Sequence, residues 1–274
     1  MRMQPPALIR TGRGEPVLLL HGLMMSHHNW RRVIDRLADD HELLAVTMPG
    51  HWGGPPLPRS ERTLRGLVDG VERMLDEAGW PTCHIVGNSL GGWVALELAK
   101  RGRARSVVVI AAAGAWRHHS VPHFAVASKF FALAPLVALR GLVGGLPARI
   151  PLIRNLLLRI VSVRPDAVET VDAQNYVYAS MHSLGYLAIV WSDLRRGGMR
   201  EIEKIATPVQ VVLCERDRIL PPRHYSRLYV DRLPQAGPPI VLRDLGHVPM
   251  LENPDVIADI IRTSIAAAGE QVAT

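Results

Sequence analysis

The pentapeptide Gly87-Asn88-Ser89-Leu90-Gly91 decides the interpretation of this chain. An apolar run at residues 83–86, typical of a buried strand, precedes it, and apolar residues at helical spacing follow it. In this context the two glycines predict a sharp strand-to-helix turn, because side chains at positions 87 and 91 would collide with neighbouring backbone. Such a turn exposes the Ser89 hydroxyl. The alternative is a serine that merely caps the following helix.

Strand-like and helical patterns alternate on both sides of this turn. Short apolar runs end at glycine, proline or polar loops, and most of them are followed by helical spacing. This alternation predicts an α/β fold with a mostly parallel central sheet flanked by helices. The predicted strands are residues 17–20, 43–48, 83–86, 107–112, 209–213 and 240–242.

The alternation stops between residues 116 and 199, where prolines and glycines repeatedly interrupt helical spacing. We predict an α/β core made of residues 1–115 and 200–274, with residues 116–199 inserted as a helical cap. The insertion leaves the core between two strands. It is therefore expected over the carboxyl ends of the strands, where ligands bind in open α/β sheets.

Two downstream residues can activate Ser89. A serine hydroxyl is a poor nucleophile at neutral pH and needs a base, usually a histidine held by a carboxylate. Asp217 follows the strand at 209–213, and His247 follows the strand at 240–242. The order Ser, Asp, His is expected when successive strand ends at one sheet edge each contribute one residue. We predict Ser89 as nucleophile, His247 as general base and Asp217 as the residue that orients the histidine.

Other residues near these positions could take the same roles. Glu215 and Asp244 are carboxylates close in sequence, and His224 is another imidazole. Both carboxylates lie nearer the ends of their strands than Asp217 and His247 do. At such positions a carboxylate can simply be a solvated loop charge or a helix cap, so these three residues rank second.

Four blocks of the chain resemble the α/β-hydrolase superfamily, and the resemblance covers nearly the whole chain outside residues 116–199. The chain looks like the cap-bearing esterases, lipases and meta-cleavage product hydrolases. It is unlike haloalkane dehalogenases and epoxide hydrolases, whose nucleophile at the elbow is an aspartate. The blocks are Leu18-Leu19-Leu20-His21-Gly22, Gly87-Asn88-Ser89-Leu90-Gly91-Gly92, residues 207–221, and Gly246-His247-Val248-Pro249 with Glu252-Asn253-Pro254.

The resemblance also implies an oxyanion hole, since a tetrahedral oxyanion requires fixed donors in a dry site. Its donors would be the backbone N–H groups of Leu23, just after His21-Gly22, and of Leu90, just after Ser89. Met24 is a second candidate for the first donor. His21 is expected to be structural.

One block departs from the family pattern. Relatives often carry an Asp and a Gly-x-Gly run where this chain has Met48-Pro49-Gly50-His51-Trp52-Gly53-Gly54. Because that loop usually borders the site, the departure puts the transfer of substrate specificity in doubt. His51 and Trp52 either line the pocket or pack the loop.

The predicted cap is apolar and basic. Residues 117–164 contain Lys and Arg but no Asp or Glu, set among many Leu, Ile and Phe residues. This composition predicts a lid for acyl chains, with Phe130 and Phe131 as candidate substrate contacts, and weak contact with an anionic membrane surface. The alternative is a cap whose apolar side covers the core and whose arginines are solvated.

Composition argues against several other classes. The 274 residues are 48% hydrophobic and 21% charged, which is typical of a globular chain. The net charge of +7 comes from scattered arginines with few aromatics, so no nucleic-acid partner is expected. Two cysteines in apolar runs predict no disulfide. Residues 1–13 lack a signal-peptide pattern, and no uninterrupted apolar stretch of about eighteen residues predicts a span, so a cytoplasmic location is the default.

No metal or cofactor is expected. His118, His119 and His123 place two imidazoles at i, i+4, but Pro122 interrupts the helix and no Asp, Glu or Cys lies nearby. The chain has no nucleotide-binding glycine motif.

These residues together predict hydrolysis of a carboxylic ester of a small hydrophobic acyl substrate through an acyl-serine intermediate. A thioester is a close alternative. Carbon–carbon bond hydrolysis of a vinylogous diketone, of the meta-cleavage product type, would use the same triad. A non-hydrolytic binding protein stays open because fold alone does not determine function. The oligomeric state does not follow from the sequence.

Overall fold

Seven strands form one sheet in this computed structural model, which describes residues 7–273 and their side chains except those of residues 140, 141 and 271–273. The strands are β1 (Leu8–Gly12), β2 (Glu15–Leu20), β3 (His41–Val46), β4 (Cys83–Asn88), β5 (Ala104–Ile110), β6 (Val209–Cys214) and β7 (Ile240–Leu242). Their order is β1-β3-β2-β4-β5-β6-β7, and all neighbours are parallel except β1 and β3.

The central strands are buried on both faces, which explains their continuous apolar sequence. Leu18 on β2 pairs in register with Leu44 on β3 and with Ile85 on β4, and all three are at most 1% exposed. Successive residues of a strand point to opposite faces, so a run without polar residues needs cover on both sides. The predicted parallel α/β sheet is confirmed. The sequence pattern missed β1, a five-residue edge strand whose residues alternate between half-buried and exposed.

Fourteen α-helices are described within residues 7–273, and seven of them belong to the core. Helix α3 packs on β4 and β5, α2 packs on α3, and α1 packs on the last helix. The core helices are α1 (Arg31–Leu37), α2 (Leu64–Glu77), α3 (Leu90–Lys100), α11 (Pro222–Tyr225), α12 (Arg227–Arg232), α13 (Pro249–Glu252) and α14 (Pro254–Ala273).

The stretch predicted to be a cap contains the other seven helices. Among the described residues between β5 and β6 there is no strand. The short helices follow the prolines: Pro135, Pro147 and Pro151 each lie at the first or second position of a helix, where a missing N–H costs nothing. They are α4 (Val121–Ala132), α5 (Ala134–Ala138), α6 (Arg140–Val143), α7 (Leu146–Arg149), α8 (Pro151–Leu158), α9 (Thr170–His182) and α10 (Tyr186–Arg196).

The sequence predicts neither a membrane span nor a signal peptide, and two segments of the chain bear on these predictions. The segment Val121–Ala138, which spans α4 and α5, has the length and apolar composition of a membrane span, with a mean hydropathy of 1.5 and 22% of its residues buried. It differs from an uninterrupted apolar run because His123 and Lys129 lie within it. Residues 1–6, part of the segment in which we expect no signal peptide, lie outside the described residues.

Candidate active site

Ser89 lies in the tight turn between β4 and α3, as the glycine pattern predicts. Its backbone has φ 55° and ψ −117°, and its side chain makes no hydrogen bond that caps α3. A Cβ at Gly87 would lie 2.3 Å from the carbonyl oxygen of Gly91, and one at Gly91 would lie 2.4 Å from that of Leu20. Only glycine fits at both positions. The positive φ of Ser89 is a strain that a simple helix cap does not require.

His247 and Asp217 form a buried pair. The Nδ1 of His247 is 2.6 Å from Oδ2 of Asp217, and the two side chains are 3% and 1% exposed. The second carboxylate oxygen accepts hydrogen bonds from the backbone N–H groups of Ile219, at 2.8 Å, and Leu220, at 2.7 Å. Because these oxygens act as acceptors, Nδ1 donates to Oδ2 and carries the ring proton, and Nε2 is left as the basic nitrogen.

Ser89 and His247 line the same cavity, so the fold brings the predicted nucleophile and base together. Asp217 lies behind the histidine, away from the cavity wall. The other carboxylates do not compete: the Glu215 and Asp244 side chains are 49% and 73% exposed and both lie against Arg216.

His224 is likewise exposed, and it lines an outer groove with Arg227 and Arg232 instead of the cavity that contains Ser89.

The two predicted oxyanion donors flank Ser89. Within the described residues the backbone N–H groups of Leu23 and Leu90 have no hydrogen-bond acceptor, and both residues line the cavity beside Ser89. A Cβ at Gly22 would lie 3.2 Å from the Cβ of Ser89, which shows how closely the first loop approaches. Met24, the second candidate, has a positive φ of 63° and an equally free N–H.

His21 holds in place the loop of residues 21–26, which carries the two predicted donors Leu23 and Met24 and which we call the oxyanion loop. Its Nε2 accepts a hydrogen bond from the backbone N–H of Met48 at 2.9 Å, so Nδ1 is the donor, 2.7 Å from the Gly22 carbonyl oxygen. Burial holds the pKa of His21 well below its usual value, so the ring is neutral. His51 packs edge-on against this ring, and burial lowers its pKa to about 4.

Two residues that the sequence analysis did not single out stabilise the site. The Asn88 side chain donates to the backbone oxygens of Ile110, at 3.1 Å, and of His247, at 2.9 Å, and thereby joins the elbow to the histidine loop. The buried Glu252 accepts from the N–H groups of Gly246, Val163 and Arg164. It joins the histidine loop to the cap. Glu252 stood in the quoted Glu-Asn-Pro block, but nothing in the local pattern shows which N–H groups it reaches.

The three candidate substrate contacts have different positions. Phe130 lines the cavity beside Ser89. Phe131 is 37% exposed and lies outside the cavity lining, because it follows Phe130 by about 100° around the helix. Trp52 also lies outside that lining, since it packs edge-on against Tyr178 and tilts toward His182. The structure therefore supports the second of the two predicted roles of His51 and Trp52, in which they pack the loop and do not line the pocket.

The three histidines near the start of the inserted helices, His118, His119 and His123, all bond to other protein groups. His123 is fully buried and bonds to Asp193, and His118 and His119 both contact the Leu194 carbonyl. In residues 7–273 as described, no group of three or more His, Cys, Asp or Glu side chains is arranged to hold a metal ion.

The sequence itself matches a known family. A model of the alpha/beta hydrolase family matches residues 17–260. The chain belongs to the α/β-hydrolase family. Epoxide hydrolase EphH of Mycobacterium tuberculosis is 45% identical over 199 residues, which are 73% of this chain and 93% of that one. The present chain is thus a hydrolase by family, and its central sheet is that of the α/β-hydrolase fold.

Two further relatives carry the names of esterases. A pimeloyl-[acyl-carrier protein] methyl ester esterase of Aeromonas salmonicida is 26% identical over 265 residues, covering 92% of this chain and 96% of that one. The structure of a thermophilic esterase from Thermogutta terrifontis superposes with a TM-score of 0.74 at 20% identity, covering 96% and 93% of the two chains. The second likeness concerns the fold alone.

Proposed function

We propose that this α/β-hydrolase cleaves a carboxylic ester of a hydrophobic acyl substrate through an acyl-serine intermediate. The observation that carries the proposal is that Ser89 and His247 lie at the wall of an apolar cavity and that the buried Asp217 bonds to His247 from behind. A relative of nearly the same length is named a methyl ester esterase, which is in keeping with this chemistry.

The reaction follows from the proton positions. Nε2 of His247 takes the hydroxyl proton of Ser89 as the serine oxygen bonds to the ester carbonyl carbon. The oxyanion that forms accepts hydrogen bonds from the N–H groups of Leu23 and Leu90. The C–O bond to the alcohol then breaks, and the imidazolium gives its proton to the departing oxygen. A water molecule, deprotonated by Nε2 of His247, then attacks the carbonyl carbon of the acyl-serine. The bond to the serine oxygen breaks, Ser89 regains its proton from the imidazolium, and the carboxylic acid is released.

The cavity beside Ser89 suits an acyl chain. We call its larger branch the first lobe; it is walled by α5, α8 and α9 of the cap and by the oxyanion loop. Burial of each methylene there contributes about 0.8 kcal/mol until the lobe is full. The apolar lining side chains include Leu133, Leu136, Val137, Leu157, Ile160, Val177 and Met181.

Epoxide hydrolysis is a second candidate because of the 45% identical relative that carries that name. Ser89 makes it chemically less suitable. Attack of a serine oxygen on an epoxide carbon leaves an alkyl ether, which water activated by His247 cannot hydrolyse. An aspartate at the elbow would leave an ester, which water can cleave. We therefore expect no diol from an epoxide such as styrene oxide.

A reactivity screen tests the proposal and separates it from its alternatives. A fluorophosphonate probe is expected to label wild-type protein at Ser89 and to leave Ser89→Ala unlabelled, whereas a pure binding protein would not be labelled. Turnover is then measured on p-nitrophenyl esters of graded chain length, on the matching thioesters, on styrene oxide and on a meta-cleavage dienoate. Background rates on all esters with rapid turnover of the dienoate would replace ester by carbon–carbon hydrolysis.

A further inference from the structure

The cavity that contains Ser89 has a second lobe with a different lining. Ser89 and Phe130 lie on the walls of both lobes, so they mark the junction between them. The second lobe extends between α3, α4 and α10, and apart from Ser89 its one hydrophilic side chain is Asp193 of α10. Trp93, Trp116, Val126, Ile189 and Val190 form most of its surface.

Asp193 is held in place by a buried histidine. The backbone N–H of His119 donates to Nδ1 of His123 at 3.2 Å, so Nε2 of His123 carries the proton. That nitrogen lies 3.1 Å from Oδ2 of Asp193 and donates to it. Burial lowers the pKa of His123 to about 4, so the donor is a neutral ring.

The other carboxylate oxygen has no partner in the described residues. Oδ1 of Asp193 is inaccessible to solvent and forms no hydrogen bond, and the side chain as a whole is 15% exposed. The Trp116 indole lies close enough to Asp193 to oppose the rise of its pKa, but the indole N–H does not reach hydrogen-bond geometry with the carboxyl group. A buried carboxylate with a free oxygen is costly, so its presence beside Ser89 indicates a partner that arrives with a ligand.

We propose that the second lobe binds the alcohol portion of the substrate and that Asp193 Oδ1 accepts a hydrogen bond from a hydroxyl or amide N–H on it. The inference rests on the proposed ester hydrolysis, since the apolar first lobe takes the acyl chain. Sites built to bond a donor discriminate strongly against analogues that lack it, because the protein group is then left unpaired.

The test is binding to Ser89→Ala, which removes turnover. Calorimetry at about pH 8.5, where Asp193 is ionised because burial raises its pKa only to about 7, compares 4-hydroxybutyl hexanoate with 4-methoxybutyl hexanoate, which has no donor. We expect the hydroxy ester to bind about tenfold more tightly. Adding Asp193→Leu should abolish this preference while the affinity for the methoxy ester stays the same or rises, which shows that the lobe is still formed.

Asp193→Asn gives a sharper result. His123 would hold the amide oxygen, so the NH2 group would face the lobe and could donate to the oxygen of either ester. The methoxy ester should then bind more tightly than it does to the parent protein, and the preference for the hydroxy ester should disappear. Equal affinities of both esters for the parent protein would overturn the subsite. Fluorophosphonate labelling of wild-type protein is read separately, so loss of the hydrolase assignment and loss of the subsite are distinguishable.

A separate feature, the outer surface of α6, α7 and α8, is apolar and exposed. Leu142, Leu152 and Leu156 are 86%, 80% and 64% exposed, and Leu146 on α7 is 55% exposed. No Asp or Glu occurs between residues 117 and 164, whereas Arg149, Arg154 and Arg159 do. We call these three helices the cap face. Such a face combines apolar anchors with positive charge, as anionic lipid surfaces require.

We propose that the cap face contacts an anionic lipid bilayer. The charge of the face favours a bilayer over a second copy of this chain, because two copies would bring like charges together. The next residue after Leu156, Leu157, lines the first lobe, so the bilayer would lie directly against the wall of the acyl site.

Vesicle co-sedimentation tests this second proposal. Wild-type protein is expected to bind phosphatidylcholine vesicles that contain 30% phosphatidylglycerol, about the content that gives a bilayer a strong negative potential, and to bind pure phosphatidylcholine at least fivefold less. Leu142→Glu with Leu152→Glu should lose binding, whereas Val241→Glu, at a 52% exposed core position, should keep it. Equal binding by the double variant, or its conversion of a dimer to a monomer in solution, would overturn the proposal.

Discussion

The two walls of the substrate cavity are built differently. The core wall presents Ser89, His247 and the oxyanion loop from strand ends whose backbone is hydrogen-bonded and almost fully buried. The cap wall consists of helices separated by prolines and joined to the core by polar contacts, such as those of Lys129 with the carbonyl oxygens of Arg218 and Ile219 and of Arg31 with Asp172. The core wall therefore places the reacting atoms, and the cap wall supplies most of the apolar side chains that shape the cavity.

The largest expected effect is on the core wall. Ser89→Ala and His247→Ala should each lower kcat by about ten-thousand-fold or more, and the double variant should be little worse, because the members of a triad act as a unit. Steady-state kinetics on the best ester checks this, with circular dichroism as the control for folding. Additive losses in the double variant would contradict a joint role.

Asp217→Asn should cost slightly less, about a thousand- to ten-thousand-fold in kcat, because the amide favours the wrong histidine tautomer. Glu215→Gln and Asp244→Asn are the matched controls, and both should retain near-normal kcat since these side chains are exposed. If Glu215→Gln were inactive while Asp217→Asn stayed active, the carboxylate that orients His247 would be Glu215.

Gly91→Ala should destabilise the elbow by about 2–3 kcal/mol, because the new methyl would overlap the carbonyl oxygens of Leu20 and His21. Gly269→Ala is the control: no atom lies within 4 Å of its Cβ, and an alanine in α14 is expected to be neutral or to add about 0.5–1 kcal/mol. Urea unfolding of both variants measures the difference. Equal stabilities would mean that the elbow relaxes freely.

On the cap wall, Phe130→Ala should move the ester preference to longer chains, because the ring lines both lobes at Ser89. About tenfold higher kcat/KM on the longest ester relative to the shortest corresponds to roughly two additional buried methylenes. Phe131→Ala, at the neighbouring exposed position, is the control and should leave the profile unchanged. A shift with Phe131→Ala alone would reverse the assignment.

The smallest effect concerns stability and pH. Burial raises the pKa of Asp193 to about 7, with the Trp116 indole and His118 opposing the shift. Between about pH 4 and about pH 7 the folded protein therefore keeps the Asp193 proton while the unfolded chain has lost it. The free energy of unfolding declines as pH rises through this range, because the unfolded state is the one that ionises. Asn does not titrate, so Asp193→Asn should gain at least about 1 kcal/mol relative to wild type between pH 5 and pH 8.

Urea unfolding at both pH values measures this gain. A constant difference between the two proteins would show that Asp193 is ionised throughout this range.

Local sequence determined the elbow and the sheet. Gly87 and Gly91 can be interpreted without a structure because their function is to avoid collisions within one turn, and the runs in β2 and β4 identify strands because burial on both faces leaves no polar position. Asp217 and His247 were predictable for a related reason: parallel strands end at one edge, so residues that follow them meet.

Only the tertiary structure decided which residues line the site and which merely pack. Trp52 and Phe131 had the same apolar character as Phe130, but helix rotation and the neighbouring Tyr178 turned them away from Ser89. Asn88 bonds to His247, which is 159 residues away in sequence, and Glu252 bonds to Val163, which is 89 residues away. His123 and Asp193 meet across 70 residues. Periodicity reports only which neighbours a residue has within a few turns of its own chain, whereas these contacts depend on how the cap is placed on the core.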